Sequence, residues 1–342
     1  MLKTFDEVFD DYTKYGTKIK TEQYHTIGSN IIIDQGQSDI AGYTDQTDGL
    51  FTDVPVIIFG DHTRIIKYIN RPFFLGADGT KILKSKLPNA NYKYLYYALK
   101  NAKIPNTGYN RHFKWLKQIS ILYPEYQKQR IVVEILDKLE DSIDNYNTML
   151  RLLDKLVKAR FIEMFKSVND KVTIGSLCDV TSGYSFKSKD INSSNGIKLL
   201  QIGNVFFDNV NWETVNYLPD GYNIKYSKFL LNEGDIVVAL TRPIIQSLGN
   251  VKACVVRELD VPCLLNQRVG RITPKKNIDT NLKFIYECLM MNDFTKYVES
   301  CCIGCSQPNI SVHDIENYLV PNVSFKQQER FVLFKKQVDK SR

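Results

Sequence analysis

From Glu125 to about Lys166 the chain carries no glycine and no proline, and its apolar residues fall at two fixed spacings. Leu136, Ile143, Leu150, Val157 and Met164 recur every seven residues, and Leu139, Tyr146 and Leu153 follow three later. That is the a/d seam of a coiled coil, because seven residues bring a slightly under-wound helix back to the same face. The pattern predicts one helix of roughly 60 Å at ~1.5 Å per residue, long enough to be a strut between two bodies. Arg160 interrupts the second series, so the seam loosens toward its C-terminal end.

On either side the apolar runs are short. "PVIIF" (55–59), "DIVVAL" (235–240) and "KACVV" (252–256) read as strands, and "NYKYLYYALKN" (91–101) and "NLKFIYECLMMND" (281–293) as helices. Ser311 with Asp314 has the spacing of a capping box. Several runs recur in order. "PVIIFGDHTR" (55–64) resembles "DIVVALTR" (235–242), and "FFLGADGTKI" (73–82) sits against "CLLNQRVGRI" (263–272). "LYYAL" (95–99) pairs with "IYECL" (285–289), and "YQKQRIVV" (126–133) with "FKQQERFVL" (325–333). A kept order with a slowly growing offset signals duplication. The fold class expected is α+β: two mixed α/β domains related by an internal repeat and separated by long coiled-coil helices. The boundaries expected are domains at 1–124 and 169–322, a spacer helix at 125–168, and a shortened second helix at 323–342. Phe331, Phe334 and Val338 begin its stripe. A partner this short is expected to leave Leu153, Leu156 and Val157 uncovered and to promote self-association unless another chain covers them.

With 342 residues and 43% hydrophobic content, two cores are affordable. No apolar run reaches bilayer length, and "MLKTFDEVFD" is too charged for a signal peptide, so a cytoplasmic location and no membrane contact are expected. All seven cysteines lie in the second half, an odd number that suits reduced thiols. Cys302 and Cys305 have C-x-x-C spacing, but a structural zinc site wants two such groups and only one is present, so no metal site is expected. No glycine precedes a lysine and no G-x-G-x-x-G occurs, so the phosphate-cradling signatures are missing and no catalytic residues are assigned.

Charge placement changes the picture. The net charge is only +7, yet residues 62–118 hold twelve Lys and Arg against one acid, Asp78, with aromatics interleaved, as a polyanion partner requires. Residues 1–124 carry sixteen cations and twelve acids, whereas 171–322 carry fifteen of each, so the first domain is expected to supply more non-specific phosphate affinity.

"DVPVIIFGDHTRIIKYINRPFFLGADGTKIL" (53–83), "NRHFKWLKQISILYP" (110–124), "LNQRVGRITP" (265–274) and "GCSQPNISVHDIENYLVP" (304–321) resemble the target recognition domains of type I restriction-modification specificity subunits. "YPEYQKQRIVVEILDKLE" resembles the helix that follows each such domain in that family. The resemblance covers practically the whole chain. It implies a non-catalytic subunit whose two domains each read one half of a bipartite site in double-stranded DNA. It also implies methyltransferase (modification) subunits, usually two, docked on the helices, and a restriction motor subunit that can join them. S-adenosylmethionine, ATP and magnesium then belong to those partners, and this chain holds no cofactor. The helix-seam residues expected to meet partners are Leu136, Leu139, Ile143, Tyr146, Leu150, Leu153 and Val157. The DNA-contact candidates are Arg64, Lys67, Lys81, Arg111, His112 and Lys114 in the first domain. In the second they are Arg242, Gln246, Gln267, Arg268, Arg271, Gln307 and Asn309. Arg, Gln and Asn fit base edges bidentately while Lys serves phosphates. The repeat pairs Arg64 with Arg242 and Lys81 with Arg271. The shortened second helix leaves a second reading, a regulatory or decoy specificity chain completed in trans.

Overall fold

The computed structural model describes residues 1–76, 78–108, 110–192, 194–245, 249–302 and 308–342. The chain divides into two compact units, Met1–Asn147 and Thr148–Arg342.

In the first unit the elements are β1 (Leu2–Thr4), α1 (Phe5–Val8), β2 (Phe9–Asp11), β3 (Asn30–Ile33), β4 (Gly42–Thr44), β5 (Val56–Gly60), β6 (Ile66–Ile69), β7 (Phe73–Leu75), β8 (Thr80–Ser85), α2 (Tyr92–Lys100), α3 (Phe113–Leu116) and β9 (Ser120–Leu122). An antiparallel sheet runs β2-β8-β5-β6, a smaller one runs β4-β3-β7 with β3 and β7 parallel, and β1 pairs with β9. Every residue of β5 is buried. Ile57, Phe59 and Leu83 pack with Leu95 and Leu99 of α2, while Val56, Ile58 and Ile82 pack with Ile31, Ile33, Phe73 and Leu75 of the smaller sheet. A strand covered on both faces has no polar side to show, which is why "VIIF" is an unbroken apolar run. Asn91 caps α2 by accepting a hydrogen bond from Tyr94 N at 3.1 Å.

Helix α4 (Tyr126–Phe165) follows. In the first unit it is tied to α2 by Lys93–Asp137 and Lys100–Glu140 ion pairs, both at 2.7 Å, with Tyr97 Oη between them at 2.6 Å from Asp137 Oδ1. These pairs are half exposed, so they fix orientation more than they add stability.

The second unit contains β10 (Lys171–Thr173), α5 (Ile174–Leu177), β11 (Cys178–Ser182), β12 (Ile197–Leu200), β13 (Asn216–Leu218), α6 (Tyr222–Lys225), β14 (Ile236–Ala239), β15 (Ile244–Ile245), β16 (Asn250–Val251), β17 (Ala253–Val255), β18 (Cys263–Leu265), β19 (Val269–Pro274), α7 (Leu282–Leu289), α8 (Asn292–Cys301), α9 (Val312–Asn317), β20 (Leu319–Pro321) and α10 (Phe325–Asp339). Its sheets run β11-β19-β14-β17 and β13-β12-β18, with β12 and β18 parallel, and β10 pairs with β20. Strand for strand this is the order of the first unit, so the internal repeat is a repeat of topology. The paired strands β15 and β16 and helices α6 and α8 are additions, without counterparts among the described residues of the first unit. The run 281–293 divides: α7 ends at Leu289 and α8 begins at Asn292, because Met291 takes an extended backbone with ψ 148. Ser311 caps α9 reciprocally with Asp314, as the spacing predicts.

The coiled-coil seam is covered at the end opposite to expectation. Phe331 of α10 lies 5.3 Å from the Phe161 ring and 5.7 Å from Phe165. Phe334 lies 5.7 Å from the Arg160 guanidinium, and Arg342 pairs with Asp154. As α10 advances, its partners retreat along α4, so the two helices run antiparallel. Val157 is therefore 4% exposed and Leu153 is half-buried, a correction to the expectation that both stay uncovered; only Leu156 of that trio is exposed. The uncovered stretch lies upstream, at Leu139 (53%), Ile143 (59%), Tyr146 (61%) and Leu150 (37%), with Leu136 half-buried. A short antiparallel partner that starts beside the C-terminal end of α4 reaches only that end.

Glu287 of α7 sits under α10 at 3.8 Å from Lys335. Burial pushes its carboxyl up to about 7, with Lys335 opposing and Asp339 adding to the rise. A carboxyl raised in the fold holds a proton that the unfolded chain has already lost, so stability falls as pH climbs from about 4.5 to about 7. Glu287→Gln is therefore expected to raise the melting temperature at pH 8 and leave it nearly unchanged at pH 4.5. Thermal melts at the two pH values read this, and equal shifts would count against it.

Candidate nucleic-acid interface

In the second unit four candidate residues meet at the end of β14. Leu240 N donates to Arg268 O at 3.0 Å, and Leu240 O accepts from Ile310 N at 2.9 Å. Arg242 N donates to Pro308 O at 2.7 Å, and Thr241 bridges Asn309. Gln267 N donates to Tyr184 O at 3.1 Å on the far side of the turn between β18 and β19. Arg242, Gln267, Arg268 and Asn309 are thereby exposed along one edge. Gly183 makes the close approach possible, since a Cβ there would collide with the carbonyl oxygens of Leu265 and Asn266. Tyr184 extends the edge with an aromatic face, 4.8 Å from the ring of Tyr226, over which Lys225 sits at 5.3 Å.

The first unit builds a related edge after β5. Asp61 N donates to Gly79 O at 2.7 Å, while Asp61 O accepts from His112 N at 2.8 Å and Asp61 Oδ1 from Phe113 N at 2.7 Å. Arg111 and Lys114 are exposed beside it, Lys114 over the Trp115 ring at 5.3 Å. Arg64 has φ 62 and Arg242 has φ 48, so both copies hold an arginine in the left-handed region just after the central strand. A side-chain-bearing residue pays for that conformation, and the surrounding hydrogen bonds hold it there. Arg64 N, for example, donates to Gly60 O at 2.7 Å.

Lys67 and His112 spend their polar groups inside the fold, and for these two the expectation of DNA contact is corrected, whereas Lys81 and Arg271 are half-buried and engaged by neighbours. Lys67 is 5% exposed and donates to Asp34 O at 2.8 Å and Ser38 O at 2.6 Å; burial pushes its ammonium below the usual lysine range, against the pull of Asp34. His112 is fully buried and bonds Asp61 O through Nδ1 at 3.0 Å. Lys81 pairs with Asp11 at 2.9 Å and lies 5.0 Å from the Phe113 ring. Burial alone would raise the Asp11 carboxyl, but Thr13 and Lys81 hold it below the usual range. Arg271 donates to Leu230 O at 3.0 Å and faces Asp235 at 3.9 Å. Lys81 and Arg271 are also not equivalent. Leu83 opposite Asp11 matches Ile272 opposite Val180, which sets Lys81 against Gly270 and Ile82 against Arg271. A one-residue slip in a strand puts the two cations on opposite faces of their sheets. Arg64 is half-spent, its Nη1 donating to Ile104 O at 3.3 Å. Gln246 and Gln307 lie outside the described residues, as does Cys305.

Of the other cysteines, Cys302 reaches the edge, its Sγ donating to Asn309 O at 3.5 Å. Burial pushes the thiols of Cys178, Cys254 and Cys263 up to about 12, which makes them inert core residues. Among the described residues no group of three metal-ligating side chains comes together, and no helix is long and apolar enough to cross a membrane.

Residues 167–342 match the family model described as the type I restriction modification DNA specificity domain. The chain is 31% identical over 299 residues to the type I restriction enzyme MjaVIII specificity subunit of Methanocaldococcus jannaschii, spanning 78% of this chain and 69% of that protein. It is 30% identical over 161 residues to the EcoAI specificity subunit of Escherichia coli, spanning 46% of this chain and 26% of that protein. The fold matches the crystal structure of a type I restriction-modification S subunit from M. genitalium at a TM-score of 0.59 and 19% identity, over 100% of this chain and 89% of that one. With a repeated strand order, a long seam-bearing helix and these relatives in agreement, the chain belongs to the specificity subunits of type I restriction-modification systems, the non-catalytic members that recognise DNA sequence.

Proposed function

We propose that this subunit reads a bipartite, asymmetric site in duplex DNA, one half with each unit. The observation that carries this is the pair of left-handed arginines, Arg64 and Arg242, one after the central strand of each repeat. On this reading Arg242, Gln267, Arg268 and Asn309 meet base edges in one half, and Arg111 and Lys114, with Arg64 behind them, serve the other. The domain limits proposed remain 1–124 and 169–322, joined by the spacer helix 125–168 and followed by 323–342. The exposed apolar residues from Leu139 to Leu150, with half-buried Leu136 beside them, are proposed to meet modification subunits, two per assembly, which bring S-adenosylmethionine, and a restriction subunit would bring ATP and magnesium. In their absence the same residues favour self-association, and such pairing is how a decoy chain would be completed in trans. The location proposed is the cytoplasm, where DNA and these partners meet.

Sequencing the methylated positions in cells carrying this gene with its modification subunit tests the reading. A new two-part methylated motif is expected, and its absence in a folded, assembled complex would refute the reader role.

Lys67 and Lys114 separate structure from contact within the first unit. Lys114→Ala is expected to lower the slope of log affinity against log salt by about one. Lys67→Ala is expected to leave that slope unchanged and to cost about 1–3 kcal/mol of stability, because buried carbonyls lose their donor. Salt titrations of DNA binding and urea melts read the two effects.

A further inference from the structure

A cavity of about 740 Å³ opens in the second unit where the C-terminal end of α4 meets α8 and β20. Its floor is apolar and aromatic: Phe161 and Phe165 come from α4, Tyr297 from α8, and Tyr318 precedes β20. The walls are fixed by packing, with Tyr297 and Tyr318 5.2 Å apart and Tyr297 Oη donating to Asp314 O at 2.8 Å. Four lysines, Lys158, Lys166, Lys171 and Lys296, line the same space against a single carboxylate, Asp293. Among the described residues none of the four makes an ion pair; Lys158 only approaches Asn292 Oδ1 at 3.4 Å. Asp293 lies in the first turn of α8, where its charge is partly met by the helix N-terminus.

We propose that this cavity binds a small aromatic anion of the nucleoside phosphate class. A base against Phe161 and Tyr318 would gain from aromatic contact, and the phosphates would gain from lysines that have no acid to neutralise them. The volume is in the range of small-molecule sites and the space is concave, which suits a mononucleotide better than a duplex. None of Arg242, Gln267, Arg268 and Asn309 lines the cavity, so it is distinct from the edge proposed to read DNA in this unit. The inference does not depend on which bases that edge recognises.

Isothermal titration of the full chain with AMP, ATP and inorganic phosphate tests it. One nucleotide per chain is expected, with inorganic phosphate binding at least roughly tenfold more weakly because it lacks the aromatic body. Lys158→Ala with Lys296→Ala is expected to weaken AMP by roughly tenfold or more while the protein keeps its melting profile and its duplex affinity. Lys166→Ala with Lys171→Ala gives an independent second pair should the first misfold. No nucleotide binding at millimolar concentration would overturn the proposal. Binding that both lysine pairs leave intact would do so too, as would nucleotide fully displaced by duplex DNA, which would make the cavity part of the DNA surface.

Discussion

Arg242→Ala combined with Arg268→Ala is expected to abolish recognition of one half-site while the other is still read. The two arginines share an edge with Gln267 and Asn309, and neither guanidinium has a side-chain partner among the described residues. A bidentate arginine on a guanine edge contributes about 1–3 kcal/mol of discrimination, so the pair is expected to cost on the order of a hundredfold in affinity for the cognate site. Non-specific binding should fall less, because only two of many cations are lost. Alanine keeps the left-handed backbone cost of position 242, so the change isolates the guanidinium. Arg242→Lys is the informative companion: it retains the charge but not the planar fork, and is expected to keep non-specific affinity while relaxing sequence choice. Competition binding against cognate and scrambled duplexes reads both, and an equal loss on the two duplexes would show that these arginines serve phosphates alone.

Phe331→Ala is expected to be the most destabilising single change in the second unit. Phe331 is fully buried and meets the rings of Phe161 and Phe165, which in turn lie against Phe284 at 6.0 and 5.2 Å. Truncating such a phenylalanine costs about 3–5 kcal/mol, from lost burial and the cavity left behind. Phe331 is the largest buried side chain of α10, beside the smaller buried Gln328 and Val338, so that loss should loosen the helix and expose Val157 and Leu153. Urea melts and proteolysis near residue 325 read the effect; a loss below about 1 kcal/mol would mean that α10 docks chiefly through its exposed ion pairs.

Much of this architecture is written in the pattern of apolar positions. "VIIF" and "IVVA" are unbroken because β5 and β14 are covered on both faces, and their flanking runs repeat because the topology repeats. The length of α4 follows from the absence of glycine and proline, and its seam from a seven-residue spacing. Which half of the seam is covered cannot be read from a seven-residue spacing, since it depends on the end of α4 against which α10 packs. The break between α7 and α8 at Met290 and Met291 carries no proline or glycine to announce it. At the candidate interface, sequence reveals charge but not burial. Lys67 and Arg111 look alike as letters, yet one is buried among carbonyl oxygens and the other is exposed. Lys81 and Arg271 align by eye and differ by one residue in register, enough to turn each to the opposite face of its sheet.

On the proposed reading, the left-handed arginines set stability and recognition against each other. Glycine would relieve the backbone at positions 64 and 242 by about 1 kcal/mol each. A library screened for heat resistance alone would therefore drift toward Arg64→Gly and Arg242→Gly, and on the proposed reading its most robust members would discriminate less sharply between DNA sequences.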